Sequence, residues 1–110
     1  MTTTPDNDVQ MLAEYLQHHS SMLCCAESCT GGLISKQLTD YAGSSNWFDR
    51  GFVTYSNQAK IEMLGVQAST LQKHGAVSEA VVREMAEGAI HYSRSQFSIA
   101  VTGIAGPGGG

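Results

Sequence analysis

A chain of 110 residues is long enough for one domain with a single core. Its net charge of −4, with six scattered cations at Lys36, Arg50, Lys60, Lys73, Arg83 and Arg94, argues against a nucleic-acid surface, which needs a basic stripe. No run approaches the roughly 20 apolar residues of a membrane span, and the polar start, Met1 to Gln10, lacks the pattern of a signal peptide.

Met1 to Pro5 reads as a tail, followed by a helix capped by Asp6, Asn7 or Asp8. Val9, Leu12, Ala13 and Leu16 recur at helical spacing, and the helix is expected to run to about His19. His18 and His19 are adjacent, so they point to different faces and do not suggest a metal site. Cys24, Cys25 and Cys29 are an odd set without zinc or CxxC spacing. They imply a reduced, cytoplasmic protein.

The central stretch is Met22–Ala26, an apolar strand, followed by Glu27-Ser28-Cys29-Thr30-Gly31-Gly32 and a helix from Leu33 to Leu38. Gly31 and Gly32 permit unusual dihedrals and close approach to a ligand. The unpaired N–H groups of the next helix offer a site for a phosphate or an oxyanion. Ser28 beside them is a candidate nucleophile, or else simply the cap of that helix.

Tyr41–Asn46 reads as a loop, Trp47-Phe48 as an apolar anchor, and Asp49-Arg50-Gly51 as a turn. Phe52–Tyr55 is rich in strand formers. Ser56 or Asn57 caps a helix that carries Lys60 and stops at Gly65. Ser69-Thr70-Leu71-Gln72 fits a capping box for a short helix ending near His74-Gly75. Ser78 caps the longest helix, with Val81, Val82, Met85, Ala86, Ala89 and Ile90 on one face and Arg83, Glu84 and Glu87 on a solvated one. Phe97–Thr102 is the clearest strand, and it runs into a glycine-rich end.

Alternating helices and strands predict an α/β layered sheet. Ligands on such sheets collect beyond the carboxyl ends of the strands. Three such ends are polar or glycine-rich: 27–32, 55–60 and 102–106. If the strands are parallel neighbours, these turns converge on one pocket. Residues 1–110 read as a single domain. Three strands make a small sheet with an open edge, so the domain is expected to be incomplete at its C-terminal end or to complete itself with a partner.

Ala26–Gly32, Val53–Lys60, His74–Ser78 and Thr102–Pro107 together resemble the C-terminal domain of the CinA family, whose single-domain members are nicotinamide-nucleotide amidases. The resemblance covers nearly all of the chain from Ala26 on. It implies a three-layer α/β/α fold with a mostly parallel mixed sheet, and a homodimer. It implies hydrolysis of the carboxamide of nicotinamide mononucleotide, with no cofactor and no metal. Carried over position by position, the catalytic residues fall on Ser28, Tyr55 and Lys60. Glu27, Thr30, Gly31, Gly32, Asn57, Thr102, Gly103 and Ala105 fall on the substrate-binding turns. A lysine acting as base has to be neutral, and Tyr55 would orient it or relay the proton. The bland readings are a core Tyr55 and a solvated Lys60. The family pattern continues past the Gly-rich loop into a further strand and a helix bearing an arginine. Its absence after Gly110 leaves a second reading, a catalytically incomplete nucleotide-binding module.

Overall fold

The computed structural model describes residues 5–103, and side chains from residue 7 onward. Five α-helices and three strands follow in the order α1 (Pro5–His18), β1 (Leu23–Glu27), α2 (Leu33–Thr39), β2 (Phe48–Val53), α3 (Asn57–Leu64), α4 (Ala68–His74), α5 (Glu79–His91) and β3 (Phe97–Val101). A 3-10 turn, Ser44–Asn46, lies in the loop before β2. The sheet order is β2-β1-β3, and both pairs are parallel. Among the described residues there is no antiparallel strand, so the mixed part of the expected sheet is not seen in them.

β1 is the middle strand because its sequence suits burial on both faces. All five of its residues are buried, from Leu23 at 1% exposure to Glu27 at 0%. Its side chains alternate between two helical layers. Leu23 packs with Ala13, Leu16, Leu38 and Trp47 on the α1–α2 side. Cys24 and Ala26 pack with Leu64, Val66, Leu71, Val81, Met85 and Ala89 on the α3–α5 side. The result is a three-layer α/β/α arrangement. Glu27 stands opposite Val53 on one neighbour and Val101 on the other, so the three carboxyl ends are level.

Asp49-Arg50-Gly51 is not a turn but the middle of β2. The Asp49 carboxylate accepts from Arg94 N–H, Ser95 Oγ and the Arg50 guanidinium, which fixes the strand against the loop before β3. Gly51 is needed there because a Cβ would overlap Ser35 Oγ. Thr54 and Tyr55 lie beyond the strand, and Thr102 lies beyond β3. Residues 6–8 lie inside α1 rather than capping it.

The capping box at Ser69 does not form. α4 starts at Ala68, with Gln67 as its N-cap and no cap from its own side chain. The Glu84 carboxylate, from α5, accepts from Gln67 N–H at 2.8 Å and Thr70 Oγ1 at 2.6 Å instead. Glu84 is therefore half-buried and structural, not part of a solvated face. Ser56 and Ser78 cap α3 and α5 as expected, accepting from Ala59 N–H and Val81 N–H. α5 has 13 residues, one fewer than α1, so it is not the longest helix. Its Ile90 is exposed, and Gly88 takes the buried place against α3.

At Gly88 the α5 backbone meets the last turn of α3 so closely that a Cβ would overlap the Leu64 carbonyl. Alanine is favoured by intrinsic helix propensity by about 1 kcal/mol, but overpacking against backbone costs about 1–3 kcal/mol or more. Gly88→Ala is therefore expected to destabilise the chain by about 2 kcal/mol net, read as a fall in the urea midpoint at unchanged slope.

Candidate active site

The end of β1 is held by its own carboxylate. Glu27 is 0% exposed. It accepts from Thr30 Oγ1 at 2.6 Å, from Ile34 N–H and Ser35 N–H at 2.9 Å each, and from Ser35 Oγ at 2.8 Å. Burial alone would raise its pKa, but these four hydrogen bonds outweigh burial and bring it down from 4.5 to about 2. Glu27 is thus an ionised cap for α2, turned into that helix and away from any ligand. The N-terminal donors of α2 are consumed by it, so the helix end is not the anion site the sequence suggested. The N–H groups of residues 29–32 are different: among the described residues they have no hydrogen-bond partner. Gly31 (φ 62°) and Gly32 (φ 104°) make this loop possible, because side chains rarely adopt that backbone.

Ser28 follows Glu27 directly. Its N–H still bonds to the Val101 carbonyl, at 3.2 Å, as a continuation of the sheet. Ser28 does not cap α2, whose N-cap is Gly32. Continuing the β1 alternation by one residue puts Ser28 on the side of Cys24 and Ala26, which is the layer that contains α3. Its side chain is 7% exposed and has no hydrogen-bond partner among the described residues.

Lys60 comes from α3 in that layer and is 1% exposed, so it is not a solvated helix position. Its Nζ donates to the Thr54 carbonyl at 3.1 Å and the Tyr55 carbonyl at 3.3 Å. Thr54 N–H in turn bonds to the Glu27 carbonyl at 2.8 Å, so the amine is tethered one strand away from Ser28. Among the described residues no carboxylate pairs with Lys60. Burial lowers its pKa from the ordinary 10.5, partly offset by attraction to a Cys29 thiolate. The Tyr55 side chain is 66% exposed and is not a core residue. Its carbonyl, not its phenol, holds the lysine.

The third strand end contributes less than expected. Thr102 Oγ1 donates to the Ala76 carbonyl at 2.9 Å and ties β3 to the loop before α5. A Cβ built on Gly103 would stand 3.6 Å from Cys29 Sγ, so this end does reach the β1 turn. Asn57 is exposed at the start of α3. Ala105, with the rest of Ile104–Pro107, lies outside the described residues. Among the described residues no group of three or more His, Cys, Asp or Glu side chains is placed to hold a metal, and no helix is long and apolar enough to cross a membrane.

Three neighbours of the site were missed in the sequence. Ser35 reads only as part of the helix from Leu33 to Leu38. Thr54 reads as a strand residue, yet its hydroxyl is buried beside the lysine tether with no partner among the described residues. Cys29 was read only as one of three thiols. Serine three residues into a helix, facing an acid at the preceding strand end, was the available signal for Ser35. Nothing in the one-dimensional pattern marked Thr54.

A parallel α/β domain with a serine at the end of its middle strand and a buried, carboxylate-free lysine one strand away is a candidate hydrolase. Residues 6–110 match the family model of the CinA C-terminal domain, and the chain belongs to that family. It is 66% identical over 86 residues to the protein called nicotinamide-nucleotide amidohydrolase PncC of Enterobacter agglomerans, covering 78% of this chain and 52% of that one. It is 51% identical over 109 residues to the protein of the same name from Escherichia coli K12, covering 96% and 66%. The crystal structure of competence/damage inducible protein CihA from Agrobacterium tumefaciens superposes with a TM-score of 0.91 at 49% identity, covering 100% of this chain and 67% of the other. The chain thus spans about half to two thirds of the length of the curated relatives it matches.

Glu27 gives a test of the loop anchor. Its folded pKa is below its unfolded one, so its contribution is present above pH 4.5 and is lost as pH falls towards about 2. The difference corresponds to about 3 kcal/mol. Denaturant midpoints from pH 7 to pH 3 should fall in the parent chain. In Glu27→Gln they should start lower and fall less; the slope that remains belongs to Asp49, which hydrogen bonds also hold below its ordinary range.

Proposed function

We propose that this chain carries the catalytic residues of an amidohydrolase acting on nicotinamide mononucleotide and releasing nicotinate mononucleotide and ammonia. The observation that supports it most is the buried Lys60, held by two carbonyls on the Ser28 side of the sheet with no acid paired to it among the described residues. Burial lowers the pKa of an amine in that setting and so favours the neutral form, the base a serine hydroxyl needs before it can attack an amide.

Neutral Lys60 takes the proton of Ser28 as its oxygen attacks the carboxamide carbon. The oxyanion is met by the N–H groups of Thr30, Gly31 and Gly32, which have no partner among the described residues, each such donor typically worth on the order of 3 kcal/mol. Lys60 returns the proton to the leaving nitrogen, ammonia departs, and water hydrolyses the acyl-serine by the same path. Glu27 shapes the loop and touches no substrate. Tyr55 serves through its carbonyl, and its exposed phenol stands at the rim, free to contact the nucleotide. Asn57, Gly103 and Ala105 belong to the nucleotide-binding turns in this reading, and Thr102 is the latch that holds the third turn. The cysteine usage carries the expectation of a cytoplasmic protein and the family resemblance that of a homodimer, which sedimentation velocity reads directly.

Ammonia release from nicotinamide mononucleotide should fall at least about a thousandfold in Ser28→Ala and in Lys60→Met. In the parent chain the rate should rise with pH as Lys60 loses its proton. Turnover that survives Ser28→Ala would overturn the serine mechanism. Nucleotide binding without turnover in the parent would favour a nucleotide-binding module instead.

A further inference from the structure

Among the described residues, two buried side-chain polar atoms have no hydrogen-bond partner, Trp47 Nε1 and Thr54 Oγ1. The indole nitrogen can only donate, and it lies in the core on the α1–α2 side. The Thr54 hydroxyl can also accept. Thr54 is 0% exposed, and its carbonyl is the one that holds Lys60 Nζ at 3.1 Å. The unused buried acceptor thus belongs to the tether of the buried amine. Backbone alternation puts the two on one side of the sheet. Val53 stands opposite Glu27, and its Cγ2 is 3.7 Å from where a Cβ on Gly32 would be, at the start of α2. Thr54 N–H bonds to the Glu27 carbonyl at 2.8 Å and continues the pairing, so its side chain turns to the other layer, from which Lys60 comes. Hydroxyl and carbonyl belong to one residue, so a small swing of the flexible lysine arm brings the amine to Oγ1.

Counting protons gives this hydroxyl a role. A neutral amine has two N–H groups, and the Thr54 and Tyr55 carbonyls accept two. An ammonium has three, and a buried charge with an unpaired donor is costly. We propose that Thr54 is a positioning residue for Lys60, its hydroxyl accepting the third N–H of the amine whenever Lys60 is protonated. Its catalytic consequence rests on the amidase reading. There the proton moves from Ser28 Oγ to Nζ as the serine oxygen bonds to the carboxamide carbon. Three oxygens of residues 54 and 55 hold the ammonium until the proton leaves on the departing nitrogen. Few groups that titrate surround the amine. Cys29 acts on it from the end of β1. Glu27 is turned into α2, Glu62 of α3 is exposed, and the Tyr55 phenol is exposed. From α5, Val81, Met85 and Ala89 pack into this layer and carry no charge, while Glu84 is bonded to Gln67 and Thr70.

The test compares Thr54→Val, which keeps the shape and loses the hydroxyl, with Thr54→Ser, which keeps the hydroxyl. Lysine side-chain resonances are titrated in the whole chain. Lys60 should titrate on the order of one pH unit lower in Thr54→Val, a tenfold change in its protonation, and as in the parent in Thr54→Ser. The pH limb of kcat/KM that Lys60 sets should move with it. At alkaline pH, where Lys60 is neutral in every chain, Thr54→Val should lower kcat about tenfold and leave KM within about twofold. Its urea midpoint there should be no lower than the parent's, because valine removes a hydroxyl that has no partner while the amine is neutral. An unchanged Lys60 titration in Thr54→Val, or the same change in Thr54→Ser, would overturn the proposal. A Thr54→Val midpoint below the parent's at alkaline pH would also overturn it, by giving the hydroxyl a purely structural role. A parent chain without turnover would count against the amidase reading and remove the catalytic consequence, while the titration still decides whether Thr54 holds the protonated amine.

Discussion

A lysine amine taken out of water, with no carboxylate paired to it among the described residues, is the constraint on which this site turns. Lys60 is 1% exposed, and its hydrogen bonds go to two carbonyls, Thr54 and Tyr55. Carbonyl dipoles orient an amine but compensate its charge far less than an ion pair would. Burial therefore favours the neutral form. The same two carbonyls belong to the segment that leaves β2, and Thr54 is bonded to the end of β1. The position of the amine and its electrostatics thus have one origin, the level ending of two parallel strands.

The second element is a division of labour among backbone donors. A helix N-terminus behind a strand is the usual place to hold an anion. In this chain the anion is the protein's own: Glu27 saturates the donors of α2 and fixes Thr30 at the same time. The donors left over are those of the loop itself, shaped by two glycines with positive φ. A ligand would then meet N–H groups held by a clamp rather than a helix end. Serine, loop donors and amine are arranged around the end of one buried strand, and the half-buried thiol of Cys29 lies among them.

Much of this was legible in the sequence, and the residues show why. The apolar run before Glu27 announced a strand, and Gly65, Ser56 and Ser78 announced helix ends by local chemistry alone. Where a partner came from far along the chain, local reading failed. Ser69 looked like a cap, but Glu84 from another helix does that work. Asp49-Arg50-Gly51 looked like a turn, but contacts with Arg94 and Ser95 hold it in an edge strand. At the site, Ser28 and Lys60 became candidates through motif resemblance. The burial of Lys60 was not, since a single lysine in a short polar helix is ordinarily solvated. Nor was the role of the Tyr55 carbonyl, because residue type says nothing of where a backbone oxygen points.

The account stands on the amine, and nuclear magnetic resonance of the lysine side chains reads it directly. The chain has three lysines, Lys36, Lys60 and Lys73, which Lys60→Met distinguishes by loss of one signal. We expect the Lys60 signal to titrate at lower pH than those of Lys36 and Lys73. A Lys60 that titrates together with them would contradict the buried neutral base and the chemistry built on it.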